Sequence, residues 1–186
     1  MADTSLDKSL ARDRITSAKR RLGNLVALGY SGISARPQER QQFTQEFFLH
    51  AVGAVEMLAQ LVNQGRALGK SPDQVSPPRV VKALSASDPI VPILSVLYAN
   101  TRKNPMPADP YSDAGYIWRL WNYRHQVSHR GRNPFDFRIG GRHPVSLRLD
   151  PGNPVLGASK KPLLEELQEM IDFVEKQCEV ILVHLT

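Results

Sequence analysis

The chain has a single cysteine, Cys178, among 186 residues, so no internal disulfide can form and a reducing, cytoplasmic setting is expected. No apolar run approaches the ~20 residues that cross a bilayer, so no membrane partner is expected. The stretch MADTSLDKSLARDRITSAKRR, from Met1 to Arg21, carries a charge every few positions and has no apolar h-region, which argues against a signal peptide. There is no internal repeat and no low-complexity tract. With 41% hydrophobic and 23% charged residues the chain is neither disordered nor fibrous by composition, and one globular domain over 1–186 is the expectation.

What is present is positive charge, and it is concentrated. Nine basic residues (102, 103, 119, 124, 130, 132, 138, 142 and 148) face three acidic ones (109, 113 and 136) between Arg102 and Arg148. That segment carries the entire excess of +6, and the remainder holds fifteen residues of each sign. A clustered excess of this kind draws polyanions, and a solvated basic face is its plain alternative.

The apolar spacing predicts an all-α fold: a four-helix bundle with extra short helices and a small β-hairpin before the last helix. The first helix is expected over 5–29, where Leu6, Leu10, Ala18, Leu22, Leu25 and Val26 keep three-four spacing before Gly29. Pro37 opens a second that ends near Gly65 and puts Phe43, Phe47, Ala51, Ala54, Leu58, Leu61 and Val62 on one arc, with Glu46 and His50 at its edge. Eight prolines between Pro72 and Pro110 forbid one long helix there. Ser76 and Asp88 each stand before a proline as N-caps, giving short helices over about 77–85 and 89–101. Ser112 caps a third long helix that runs to Arg130 and stops at Gly131. Alternating Phe135, Phe137 and Ile139, then Gly140-Gly141, then Val145, Leu147 and Leu149, form the hairpin signal. Pro162 begins the last helix, with Glu165 and Glu166 in its first turn. Its stripe of Leu163, Leu167, Met170, Ile171, Val174, Cys178 and Ile181 suits a bundle interior or a dimer face.

The third long helix ends in LWNYRHQVSHRG. At about 100° per residue, Arg124 falls in the middle of an apolar arc made by Ile117, Leu120, Trp121 and Val127. His125 and His129 stand one turn apart on the edge of that arc, and Arg119, Asn122, Gln126 and Arg130 take the opposite, wet side. A guanidinium cannot escape a poor environment by losing its proton, so Arg124 needs a carboxylate, a carbonyl or an anionic ligand. Glu46 or Glu56 of the second helix can serve as the internal partner. Imidazole exchanges protons near neutrality, with a reference pKa of ~6.5, and a fixed arginine steadies phosphoryl oxygens as charge grows on them. In RNA the 2′-hydroxyl already adjoins the phosphorus, so a base, an acid and a cation suffice without metal or cofactor.

The run Arg124-His125-Gln126-Val127-Ser128-His129 resembles the R-x(4–6)-H signature of the HEPN superfamily, with His125 where that family commonly has asparagine. The resemblance covers about Ser112 to Gly131. It implies a helical bundle and a metal-independent endoribonuclease that cuts single-stranded RNA by 2′-OH attack to a 2′,3′-cyclic phosphate. It also implies a toxin–antitoxin or phage-defence role, an antitoxin partner and a homodimer with facing motifs. His129 is then general base or acid, Arg124 the phosphate clamp and His125 an auxiliary proton carrier. Arg130, Arg132, Arg138 and Arg142 are the expected RNA-backbone contacts.

Three other readings compete. A non-catalytic HEPN-like module would keep the cleft and bind RNA or nucleotide without cutting. A zinc site would use the i, i+4 histidines with His50 or His143, although Gln126 stands where HExxH needs glutamate. An oligomerisation protein would hold Arg124 in a buried ion pair.

Overall fold

The computed structural model of the protein describes residues 7–28, 37–130, 135–136, 148–149 and 163–185, with side chains left out at 37, 41, 126–130, 135, 136, 148, 149 and 163. The fold is all-α. Its helices are α1 (Ser9–Ala27), α2 (Pro37–Gly65), α3 (Pro77–Val81), α4 (Ile90–Val96), α5 (Asp113–Arg130) and α6 (Leu163–Val183), with a 3-10 turn at Pro72–Gln74. One two-residue antiparallel contact, β1 (Phe135–Asp136) with β2 (Arg148–Leu149), pairs Phe135 with Leu149. The other positions of the expected hairpin, Gly140-Gly141 included, lie outside the described residues.

The second helix is the axis of the packing. Helices α1, α3, α5 and α6 all lie against α2, and α6 also touches α1, α4 and α5. Burial on α2 therefore extends past the expected arc: Phe48, Val52, Val55 and Ala59 are as buried as Phe47, Ala51 and Leu58. On α1 the buried stripe is Ala11, Ile15, Ala18, Leu22 and Leu25, a four-three repeat that lays one face along α2. Leu10 and Val26, expected in that stripe, are exposed. On α6 the stripe from Leu167 to Ile181 is enclosed by α1, α2, α4 and α5. Cys178 lies within it, and burial pushes its thiol far above the ordinary range, so it acts as a small apolar residue.

Both short helices between α2 and α5 are briefer than their spacing suggests. Asp88 caps α4 by accepting the Ile90 N–H at 2.9 Å, whereas the Ser76 hydroxyl makes no cap bond to α3. Helix α4 ends at Val96 because the chain beyond it is tied to α5 instead. The Leu97 carbonyl accepts the Trp121 indole N–H at 3.0 Å, and the Asn104 carbonyl accepts that of Trp118 at 3.0 Å. The start of α5 follows the spacing: Ser112 Oγ accepts the Gly115 N–H at 3.2 Å. No side chain larger than hydrogen fits at Gly115, since a Cβ would sit 2.5 Å from the Pro110 carbonyl oxygen.

One residue of α5 departs fully from its expected place. Arg119, expected on the wet side, is 0% exposed. The Pro-rich chain before Ser112 folds over that side of α5, so the first half of the helix is covered all round from Tyr116 to Leu120. Arg119 Nε lies 2.6 Å from Glu166 Oε1 on α6, a carboxylate equally enclosed. Its guanidinium also donates to the Pro110 carbonyl and lies against Tyr111 and Tyr116, at 5.3 and 5.2 Å from the ring centres. Beside this pair, Tyr123 stacks edge-on to Phe48 at 5.0 Å. Burial first, then the Glu166 charge, pushes its phenol well above the usual value, so it stays neutral.

Removing one member of such a pair strands a buried charge. Glu166→Ala is expected to lower the unfolding free energy in urea by about 3–5 kcal/mol. The double variant Arg119→Met/Glu166→Leu, which leaves neither charge, is expected to recover most of that loss. A double variant no more stable than Glu166→Ala would show that the aromatic and carbonyl contacts, and not the charge pairing, hold the guanidinium.

A groove at the end of helix five

From Trp121 to His125, α5 emerges on one side from its covering, and its side chains there meet the connection that follows α4. Here Trp121, Arg124 and His125 line a groove of about 470 Å³. The opposite wall is the turn from Tyr98 to Lys103. That turn is shaped by Asn100, whose side-chain oxygen accepts the Arg102 N–H at 3.3 Å while its carbonyl accepts those of Lys103 and Asn104. The two exposed cations Arg102 and Lys103 are thereby brought to the same groove as Arg124. Tyr98 and Trp121 meet edge to face, 5.4 Å between centres. Three cations and an imidazole beside two aromatic rings make a setting for a planar, anionic ligand.

Arg124 itself is less enclosed than the helical arc suggests, with 27% of its side chain exposed. One of the acids foreseen as its counter-ion is there: Glu56 Oε1 lies 3.6 Å from Nη2, itself 46% exposed. At that distance the pair is a loose charge contact rather than a short hydrogen bond. Glu46, the other acid foreseen, is engaged elsewhere, 2.6 Å from Arg21 of α1. Arg124 Nε is buried without a hydrogen-bond partner among the described residues. Glu56 thus holds the guanidinium only loosely, and Arg124 lines the groove.

A second groove, of about 380 Å³, shares Tyr98 and Trp121 with the first. Glu56, Gln60, Gly53 and Arg14 line it from α2 and α1, and Ser76 and Pro77 from the start of α3. Arg14 reaches His50, with Nη1 3.4 Å from Nδ1. Burial first, and then the charges of Arg14 and Arg21, holds the His50 imidazole below its ordinary range. Neighbouring cations outweigh the one acid that acts on it, Glu46.

Of the residues expected to act together, Arg124 and His125 share the groove. His129 follows one turn beyond His125 on the backbone of α5, its side chain outside the described set, as is that of Arg130. Arg132, Arg138, Arg142 and His143 also lie outside the described residues. Among the described residues no group of three or more His, Cys, Asp and Glu side chains is gathered as a metal site requires. Among them, too, no helix is long and apolar enough to cross a membrane. Reading the sequence missed Arg102, Lys103, Tyr98 and the second groove; the local charge excess covered the first two, but no motif spacing joins them to α5. A scan against protein-family models and searches of curated proteins and of solved structures found no match.

The titration of His50 tests the electrostatics of this face. A histidine whose folded pKa lies below its unfolded value contributes stability that is whole above the unfolded value, ~6.5. That contribution is lost as pH falls from there through the folded value. His50 is expected to titrate below ~6.5 by NMR, and Arg14→Gln to raise its midpoint without restoring it fully, since burial is the larger cause. His50→Gln is expected to flatten the loss of stability over that same interval. A midpoint at or above ~6.5 in the unaltered protein would contradict the described surroundings.

Proposed function

We propose that the protein is a metal-independent endoribonuclease of HEPN type that cuts single-stranded RNA. The observation that carries this reading is the groove in which Arg124, only loosely held by Glu56, stands beside His125 and opposite Arg102 and Lys103. On this reading the four long helices α1, α2, α5 and α6 are the family's four-helix bundle, and the expected hairpin is an elaboration before α6. The chain is one HEPN-like domain. It works in the cytoplasm as a homodimer with facing motifs, in a toxin or defence role, restrained by an antitoxin.

The chemistry needs only protein side chains. A ribose 2′-hydroxyl gives its proton to one imidazole as its oxygen attacks phosphorus. The new 2′-O–P bond forms, the P–O5′ bond breaks, and the departing 5′-oxygen takes a proton from a second imidazole. The products are a 2′,3′-cyclic phosphate and a 5′-hydroxyl. His129 is the proton carrier at the reacting atoms, and His125, or the partner copy's motif, supplies the second. Arg124 binds the non-bridging oxygens as charge collects on them. Arg102 and Lys103 hold the flanking backbone, a part also assigned to Arg130, Arg132, Arg138 and Arg142.

The contact between Glu56 and Arg124 favours a second reading, a HEPN-like module that binds RNA or nucleotide without cutting it. A carboxylate beside the clamp competes with phosphate, which suits exchange of a ligand as well as turnover.

Purified protein with end-labelled single-stranded RNA in excess EDTA distinguishes the two. Cleavage is expected to survive the chelator and leave cyclic phosphate ends. His129→Ala and Arg124→Ala proteins with unchanged helical spectra are expected to lose at least about a hundredfold in rate. Tight binding with no cleavage at any pH or salt would establish the module instead. Loss of activity in EDTA would sink the metal-independent mechanism.

A further inference from the structure

We infer that the second groove is a base compartment for guanine, on the nucleotide next to the phosphate that Arg124 holds; this rests on the single-stranded RNA reading above. The two grooves share the Tyr98–Trp121 pair, so a chain with its phosphates on Arg102, Lys103 and Arg124 has an adjoining base at an aromatic wall. The far side of that wall carries acceptors and one cation. Glu56 brings a carboxylate, and Gln60 gives a side-chain N–H to the Pro72 carbonyl at 3.0 Å and keeps its amide oxygen as acceptor. Arg14 brings a guanidinium. Guanine carries N1–H and amino donors on one edge and O6 and N7 acceptors on another, so it complements a carboxylate and an arginine together. Uracil has no amino donor, and adenine presents an acceptor at N1 where guanine has a donor.

Glu56 joins the two compartments. In the free protein it is the loose partner of Arg124. When phosphate takes Arg124, the carboxylate is left to accept from the base, and both charges keep a partner throughout. Base and phosphate therefore assist each other's binding.

The test measures binding in the His129→Ala protein, so its outcome does not depend on cleavage. Fluorescein-labelled octauridylate and the same octamer with one central guanine are titrated in EDTA and followed by anisotropy. The guanine-containing octamer is expected to bind about tenfold more tightly, within the range of a bidentate base contact. Glu56→Gln is expected to erase that preference and leave octauridylate binding equal or stronger, because the clamp gains freedom from its carboxylate. Gly53→Met is expected to erase the preference by occupying the compartment. A Cβ at Gly53 meets only the Arg14 side chain, at 3.7 and 3.8 Å, which is ordinary contact, and circular dichroism checks that the variant is folded. Equal affinity for the two octamers, or a preference that survives both substitutions, overturns the compartment. Absence of cleavage by the wild type with the preference intact would overturn the ribonuclease reading alone.

Discussion

A single buried charge pair organises this molecule. Arg119 and Glu166 are both withdrawn from water, and each is costly to bury alone. Together they tie α5 to α6, and the guanidinium's further contacts with Pro110 and Tyr111 draw the preceding Pro-rich chain onto the same helix. A well-packed apolar substitute would hold the helices as firmly. What the ionic pair adds is register, because a displaced α5 would strand both charges in an apolar interior.

That register decides what the end of α5 offers to solvent. The helix has two regimes on one continuous backbone. From Gly115 to Leu120 it is enclosed on every side and acts as a core element. Between Trp121 and His125 one side is uncovered, and the groove cations gather there. The contrast between the two arginines of this helix follows directly. Arg119 meets a close, fully buried carboxylate and is spent on structure, whereas Arg124 meets a distant, half-exposed one at the edge of the groove.

Much of the helical layout was legible in the sequence because local signals are strong where apolar spacing and punctuation agree. Pro37 and Gly65 bound α2 as expected, and Ser112 caps α5 as its position suggests. The clearest error has an instructive cause. A helical wheel assumes one buried face, and α5 is wrapped on two by the chain between α4 and α5, so Arg119 was assigned to water and Arg124 to the interior. The sequence did contain the missing hint, since Glu166 sits in the first turn of α6 and Tyr111 stands just before α5, but only tertiary structure brings them to Arg119. The grooves were illegible for the same reason. Tyr98, Arg102 and Lys103 lie in an irregular connection, where no periodicity relates a residue to a helix some twenty positions onward.

The tryptophans' two indole-to-carbonyl bonds have a consequence for how this molecule can change. They fasten main-chain oxygens of Leu97 and Asn104 to α5, so the span between them is an arc clamped at both feet. The groove's breadth is accordingly set by the backbone. Side chains at 101–103 can be exchanged without altering the aperture, whereas Asn100 shapes the turn itself. Such a segment is an interchangeable cassette, in which selectivity can drift over evolutionary time while the scaffold stays constant.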